Sequence, residues 1–562
     1  MSKVLSSRRF KLRDRDQPAA RIPVPDLLHP RPRLGLDGKA LDELLEISFL
    51  GGDRAGHLER ALETPLLETS DWRPELFRDE LFLDDLIADC FRMVVAGKAI
   101  PVTKAYLRGV LSRPPGDEAA VVFRQEVLSE LERSEELRER AQNLFEQLYY
   151  LLSLFKAPNR RAKLDITVFR LEILEQARKL VALMDEDFAG ARSGLKRLHD
   201  SARAIRETEE YRLLAALLDY ENHLATLGFR VRVGADGKIR QLDLTEIEEN
   251  VKNPFYRRPW RRLRDRFEMT RRGVEFTNRE LVNRVVHEVF LRISDWLKPL
   301  LELVGQLYFY LGALGFRQRC LEAGLEMSLP AVAPGSRLEL ERLFNPLLFR
   351  QGTPVPCDVR TGSADSIVIV TGPNSGGKTR LLQAVGIAQV LGQSGLYVPA
   401  ASARIPLVAG LFASTTERAS VDQREGRLGT ELLRIRRLFE SVDDRSMVII
   451  DELCSGTNPS EAEEIFLLVL ELLDRVKPMA FVTTHFLDFA RQLERDHPVS
   501  TLEFLQVEMH DDRSTFQFVP GVASTSLAAS TARRLGVTFE ELSGLLDGRE
   551  PTERPEKKAT VT

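Results

Sequence analysis

The feature that most constrains this chain is a short apolar run, Ser366-Ile-Val-Ile-Val370, that enters Thr371-Gly-Pro-Asn-Ser-Gly-Gly-Lys-Thr379 and leaves into the helical pattern of residues 380–391. Gly372, Gly377, Lys378 and Thr379 meet the spacing of a strand–loop–helix unit that cradles phosphates. Its glycines let backbone N–H groups converge on phosphate oxygens, and the helix N-terminus adds partial positive charge. Lys378 then neutralises the phosphates while the Thr379 hydroxyl ligates Mg²⁺. The residues expected to line the site are Gly372, Pro373, Asn374, Ser375, Gly376, Gly377, Lys378 and Thr379, with ATP and Mg²⁺ as ligands. The alternative, a chance glycine-rich turn, would have to satisfy four constrained positions in the right setting.

Two further apolar runs, Met447-Val-Ile-Ile450 and Met479-Ala-Phe-Val-Thr-Thr484, alternate with helical segments after Pro330. Runs of this kind predict a mostly parallel sheet with helices on both faces, an α/β nucleotide domain over 335–520. The first run ends in Asp451-Glu452. An Asp there can hold the Mg²⁺ water shell, and the Glu can position or deprotonate an attacking water. The second ends at His485, on the carboxyl edge of the sheet where ligands of open α/β folds bind, so that it can sense the terminal phosphate. A lone His is more often structural; its place beside two nucleotide motifs favours function.

The first half reads differently. Apolar residues at three-and-four spacing, such as Leu137, Leu144, Leu148, Leu151 and Leu152, predict an all-α region, divided into a helical unit over 36–115 and a second over 116–330 by the break Ser112-Arg-Pro-Pro-Gly116. Within the second, Phe229-Arg-Val-Arg-Val and Lys238-Ile-Arg-Gln-Leu-Asp-Leu244 alternate around Gly234-Ala-Asp-Gly237, which fits a β-hairpin or an irregular helix–helix loop. Residues 1–35 and 548–562, mixing charge with proline, have the composition of disordered tails.

Hydrophobic residues are 43% and charged residues 29%, the balance of a soluble protein. Lys+Arg number 80 against Asp+Glu 84, so a net charge of −4 supplies no whole-protein field for nucleic acid or anionic lipid, and any such site is a local patch. The four cysteines form no CxxC pair, which argues against zinc and disulfides and fits a reducing cytoplasm. The most apolar helix, around residues 300–316, is interrupted by Glu302 and Gln306, so no membrane span is expected. The one notable patch carries Arg257, Arg258, Arg261, Arg262 and Arg264 interleaved with Phe255, Tyr256 and Trp260. It suits phosphate contacts with stacking on bases or sugars, and suits a solvated helix face equally well.

These motifs together resemble the MutS family. Thr371 to Thr379 is similar to its phosphate loop, Asp451-Glu-Leu-Cys-Ser-Gly-Thr-Asn-Pro459 to its Asp-Glu segment, and Thr483-Thr-His485 to its final strand motif. Phe344-Asn345-Pro346 stands where the family has a His-Pro nucleotide-flanking motif, with Asn345 for the His, and Phe123-Arg-Gln-Glu-Val-Leu128 is similar to an early core-helix motif. Gly521-Val-Ala-Ser-Thr-Ser526 with Ala532-Arg-Arg-Leu-Gly536 looks like the C-terminal helical dimerisation segment, here 521–547. The resemblance implies a multidomain protein: an all-α core, lever and clamp region with a small β-hairpin, then an α/β P-loop ATPase domain of ABC type with C-terminal helices.

It also implies a homodimer with two composite ATP sites, and a helical clamp that closes on duplex or branched DNA during repair or recombination. In that reading Lys378 and the loop amides bind phosphates, and Thr379 and Asp451 hold Mg²⁺. Glu452 activates water, Asn374 helps place it, and His485 reads the terminal phosphate. The family's amino-terminal mismatch-reading domain and the Smr nuclease domain of its second bacterial subgroup have no counterpart in this sequence, so neither mismatch reading nor nuclease activity is expected. The family's trans-acting loop offers a Ser and a Phe before an acidic residue, whereas this chain reads Glu425-Gly-Arg-Leu-Gly-Thr-Glu431, leaving Thr430 or Arg427 to substitute. The competing expectation is a nucleotide-switched module acting on ribosomes or protein partners.

Overall fold

A computed structural model describes residues 9–11, 22–33, 38–53, 55–65, 67, 70–91, 93–95, 98–99, 104–156, 166–221, 225–233, 239–249, 275–373, 376–415, 426–454, 458–511, 513–524 and 537–547. They divide into two compact units: residues 1–74, 82–332 and 389–398 form one, and 75–81, 333–388 and 399–562 the other. The stretches 36–115 and 116–330, expected as separate units, lie in the first, except for residues 75–81. The break between them is a packed turn, with Pro114 and Pro115 buried and the Pro115 carbonyl accepting from Gln393 Nε2 at 3.0 Å.

The first unit is helical. Asp117 starts the helix Glu118–Arg133 by accepting from the Ala120 N–H, and Glu135–Lys156 follows with Leu144, Leu148, Leu151 and Leu152 on its buried face. Its longest element is the 48-residue helix Glu275–Glu322. The stretch Val285–Glu322 is long and apolar enough to cross a membrane, yet 72% of its apolar window is buried within the protein. Gln306, one of the two polar interruptions, accepts from the Leu27 N–H at 2.8 Å.

Residues 22–33, expected as part of a disordered tail because of their prolines, form a strap whose middle, 25–29, is buried. A proline-rich segment lacks the donors to join a sheet, so its carbonyls are met by side chains instead. Tyr310 donates to Leu27, Arg124 to Leu28, and Arg197 to Asp26, His29 and Pro30. Ala225–Val233 and Ile239–Glu249 pair antiparallel, so the alternating segments are indeed a hairpin, and Arg9–Lys11 adds a third strand.

The second unit is built on a six-stranded sheet. Its strands are β1 (Ile367–Thr371), β2 (Gly410–Ser414), β3 (Ser446–Ile450), β4 (Met479–Thr483), β5 (Leu502–His510) and β6 (Arg513–Pro520), in the spatial order β2-β3-β4-β1-β5-β6. Every pairing is parallel except β5–β6. A second sheet pairs Glu339–Leu343 antiparallel with Ser402–Pro406 and Cys357–Arg360.

β1, β3 and β4 are buried along their whole length, as their largely apolar runs demand. Alternate residues Ile369, Val448, Ile450 and Val482 face a core with Phe466, Leu470 and Leu473 of the helix α3 (Pro459–Val476). That helix begins where Thr457-Asn-Pro459 dictates, because Asn458 accepts from Glu461 N–H and Pro459 occupies the first turn. The helices α1 (Lys378–Gln393) and α2 (Gly426–Phe439) precede it, and α4 (Leu487–Asp496) follows. On the other face Gly386 of α1 leaves room for Ile449, which a Cβ there would approach to 3.1 Å.

Candidate functional site

Because β1, β3 and β4 are parallel neighbours, their carboxyl ends lie side by side, and each runs into one of the sequence motifs. β1 leads into the glycine loop. Gly372 and Gly377 adopt φ of 137° and 91°, which L side chains rarely tolerate. Gly376 is needed for a different reason: a Cβ there would come within 2.9 Å of Val507 on β5.

Lys378 opens α1 with its side chain folded back over the loop, donating to the carbonyls of Gly372 at 2.8 Å and Pro373 at 3.1 Å. Burial holds its ammonium below the usual lysine range, and the carboxylates of Glu452 and Asp451 pull it the other way. A desolvated cation at a helix N-terminus, among glycines, is what an anionic ligand would neutralise.

β3 ends in the acidic pair. Asp451 accepts from the Thr379 hydroxyl through Oδ2 at 2.5 Å and from the Thr483 hydroxyl through Oδ1 at 2.6 Å. Thr379 and Asp451, predicted as the metal residues, therefore meet, and their oxygens are the hard donors Mg²⁺ prefers. Among the described residues no group of three His, Cys, Asp or Glu could hold a metal ion. A hydroxyl and a carboxylate oxygen side by side fit a metal that takes one or two protein oxygens and completes its shell with water and phosphate.

Glu452 has φ of 52° and Cys454 of 62°, conformations that cost a non-glycine residue about 1–3 kcal/mol each and cluster at functional sites. The Glu452 N–H is held by the Thr483 hydroxyl at 2.7 Å. Beside this turn lies a crevice lined by Ser414, Thr415, Glu431, Arg434, Glu452 and Cys454. Glu431, from the expected trans-acting loop, is here within α2.

His485 stands two residues beyond the end of β4, exposed, with its ring 4.1 Å from that of Phe486. Asn345 stands against the start of α1. Its side chain is buried, caps Leu347 through Oδ1, and donates from Nδ2 to the Arg380 carbonyl in the first turn of α1 at 2.9 Å. Asn374 and Ser375, the Arg427 side chain and the arginines at 257, 258, 261, 262 and 264 lie outside the described residues.

Two residues escaped the sequence reading. Thr483 was visible only as part of a motif, without a role. Phe516 of β6 was hidden in the alternation Phe516-Gln-Phe518, which marks a strand and gives no hint that the first ring is 45% exposed at φ of 59°, beside Gly377. Ser514 fixes that corner by donating to the Gly376 carbonyl at 3.4 Å and accepting from the Phe516 N–H at 3.0 Å.

Comparison with known proteins converges on the same region. Residues 368–544 match the family model of MutS domain V. The chain is 31% identical over 274 residues to the endonuclease MutS2 of Streptococcus thermophilus, covering 47% of this chain and 34% of that protein. It is 29% identical over 389 residues to that of Thermus thermophilus, covering 66% and 49%. With that of Thermomicrobium roseum it is 27% identical over 458 residues, covering 78% and 55%. The chain thus spans between about a third and about half the length of these curated relatives.

Proposed function

We propose that this chain, whose residues 368–544 match MutS domain V, is a MutS-family, DNA-interacting ATPase that binds ATP through the loop 372–379 and Mg²⁺ through Thr379 and Asp451. The reading rests above all on one observation: Lys378, Thr379, Asp451 and Glu452 gather at the carboxyl ends of two parallel strands, with Lys378 electrostatically coupled to both acids. Lys378 and the loop amides take the phosphates, exchanging the lysine's carbonyl acceptors for oxyanions. Thr379 and Asp451 hold the metal, which when bound neutralises charge building on the phosphates. Glu452 orients the attacking water and accepts its proton, Asn374 helps place that water, and exposed His485 reads the terminal phosphate. Phe516 offers an apolar face beside Gly377 on which the base can stack.

In this account the protein works in the cytoplasm as a homodimer, and ATP turnover opens and closes the helical region around duplex or branched DNA. The arginines at 257, 258, 261, 262 and 264 carry the phosphate contacts. Binding to duplex and four-way-junction DNA is the test. Affinity falling by about a thousandfold between about 50 and about 200 mM salt supports the reading. A flat salt profile, with no stimulation of ATP hydrolysis by DNA and capture of ribosomes instead, contradicts it.

A further inference from the structure

The hydroxyl of Thr483 serves two masters. It accepts the Glu452 backbone N–H at 2.7 Å and donates to Asp451 Oδ1 at 2.6 Å. The other oxygen of that carboxylate, Oδ2, accepts from the Thr379 hydroxyl at the start of α1. Four residues from three separate elements thereby form one unbroken chain, running from the glycine-loop helix through the metal-side carboxylate to the backbone of Glu452. Thr483 is fully buried at the end of β4, paired in register with Val370 of β1, so its hydroxyl is closed to water. A hydroxyl suits this position because one atom there must both donate and accept, which a methyl group cannot do and a thiol does only weakly.

We infer that Thr483 is a positioning residue for the reaction proposed above, and the inference rests on that reading. It fixes the face that Asp451 presents to a metal, and with the same atom it holds Glu452 in the left-handed conformation from which its carboxylate projects. Occupation of the metal site and orientation of the general base are therefore not independent. A shift of Asp451 toward a cation is felt by Thr483 and passed to the Glu452 amide.

The test compares Thr483→Val, which keeps the shape and removes the hydroxyl, with Thr483→Ser, which keeps the hydroxyl. In the nucleotide-free protein, amide hydrogen exchange over residues 446–454 should be about tenfold faster at Glu452 in Thr483→Val and unchanged in Thr483→Ser. With ATP, Thr483→Val should lower kcat by about 10–100-fold and raise the Mg²⁺ concentration for half-maximal rate, leaving the KM for ATP nearly constant, and Thr483→Ser should restore both. Wild-type exchange at Glu452 in Thr483→Val, or failure of Thr483→Ser to restore the Mg²⁺ dependence, would overturn the inference. Should Thr483→Val not fold, Thr483→Cys, with a weak donor of similar size, is read by the same two criteria. A wild-type protein without ATP hydrolysis would sink the ATPase reading, while the exchange measurement still decides what Thr483 does.

Discussion

Val507 lies directly against Gly376: a Cβ on Gly376 would meet its Cγ2 at 2.9 Å and its Cγ1 at 3.1 Å. The glycine loop is thus packed against β5 at Gly376, and its shape is set partly by a strand that carries none of the motif residues. Gly376→Ala should weaken ATP binding by about tenfold through this clash. Adding Val507→Ala should recover most of it, as measured by titration calorimetry. Equal loss in single and double variants would show that the glycine matters for another reason.

Phe516→Ala removes the exposed ring beside Gly377. Stacking of a base on an aromatic is worth about 1–3 kcal/mol, so the KM for ATP should rise by about tenfold or more while kcat changes little. Steady-state kinetics with ATP and with inorganic triphosphate separate the two effects, since the triphosphate has no base to lose.

Arg124 is buried at 2% exposure, donates to the carbonyls of Leu28 at 3.0 Å and Ser394 at 3.2 Å, and packs over Phe309. Its replacement by Ala orphans two buried acceptors and opens a cavity, which should cost about 3–5 kcal/mol in denaturant unfolding of the helical unit. Arg124→Lys cannot span the same fork and should recover only part.

Burial pushes the thiols of Cys320, Cys357 and Cys454 from 9.0 up to about 12. Their contribution is complete below about pH 9, where both folded and unfolded chains keep the proton. Between pH 9 and 12 only the unfolded chain ionises, so stability falls as pH rises, by about 1.4 kcal/mol per pH unit for each thiol. Native protein at pH 8 should also resist thiol reagents, and all four free cysteines should react after unfolding.

The sequence carried the α/β half well, because buried parallel strands are short apolar runs and the motifs sit at their ends. It also placed Asp451 and Glu452 at a strand end, where Asp451 meets the Thr379 hydroxyl. What it hid were contacts made across the chain. Thr483 earns its place through a neighbouring strand, and Phe516 through a backbone twist that alternation cannot reveal. The strap at residues 22–33 looked like a tail since its prolines spoil local structure, yet Arg197, Arg124 and Tyr310, distant in sequence, supply the donors it lacks.

In the proposed reaction Glu452 drives hydrolysis at a site where Lys378 and Thr379 bind the nucleotide. Single-turnover hydrolysis by Glu452→Gln, with ATP binding measured on the same sample, tests it most directly. Wild-type affinity and a rate lowered by about 100-fold or more are expected, with Lys378→Ala losing binding altogether. Hydrolysis by Glu452→Gln at the wild-type rate would contradict that role of Glu452.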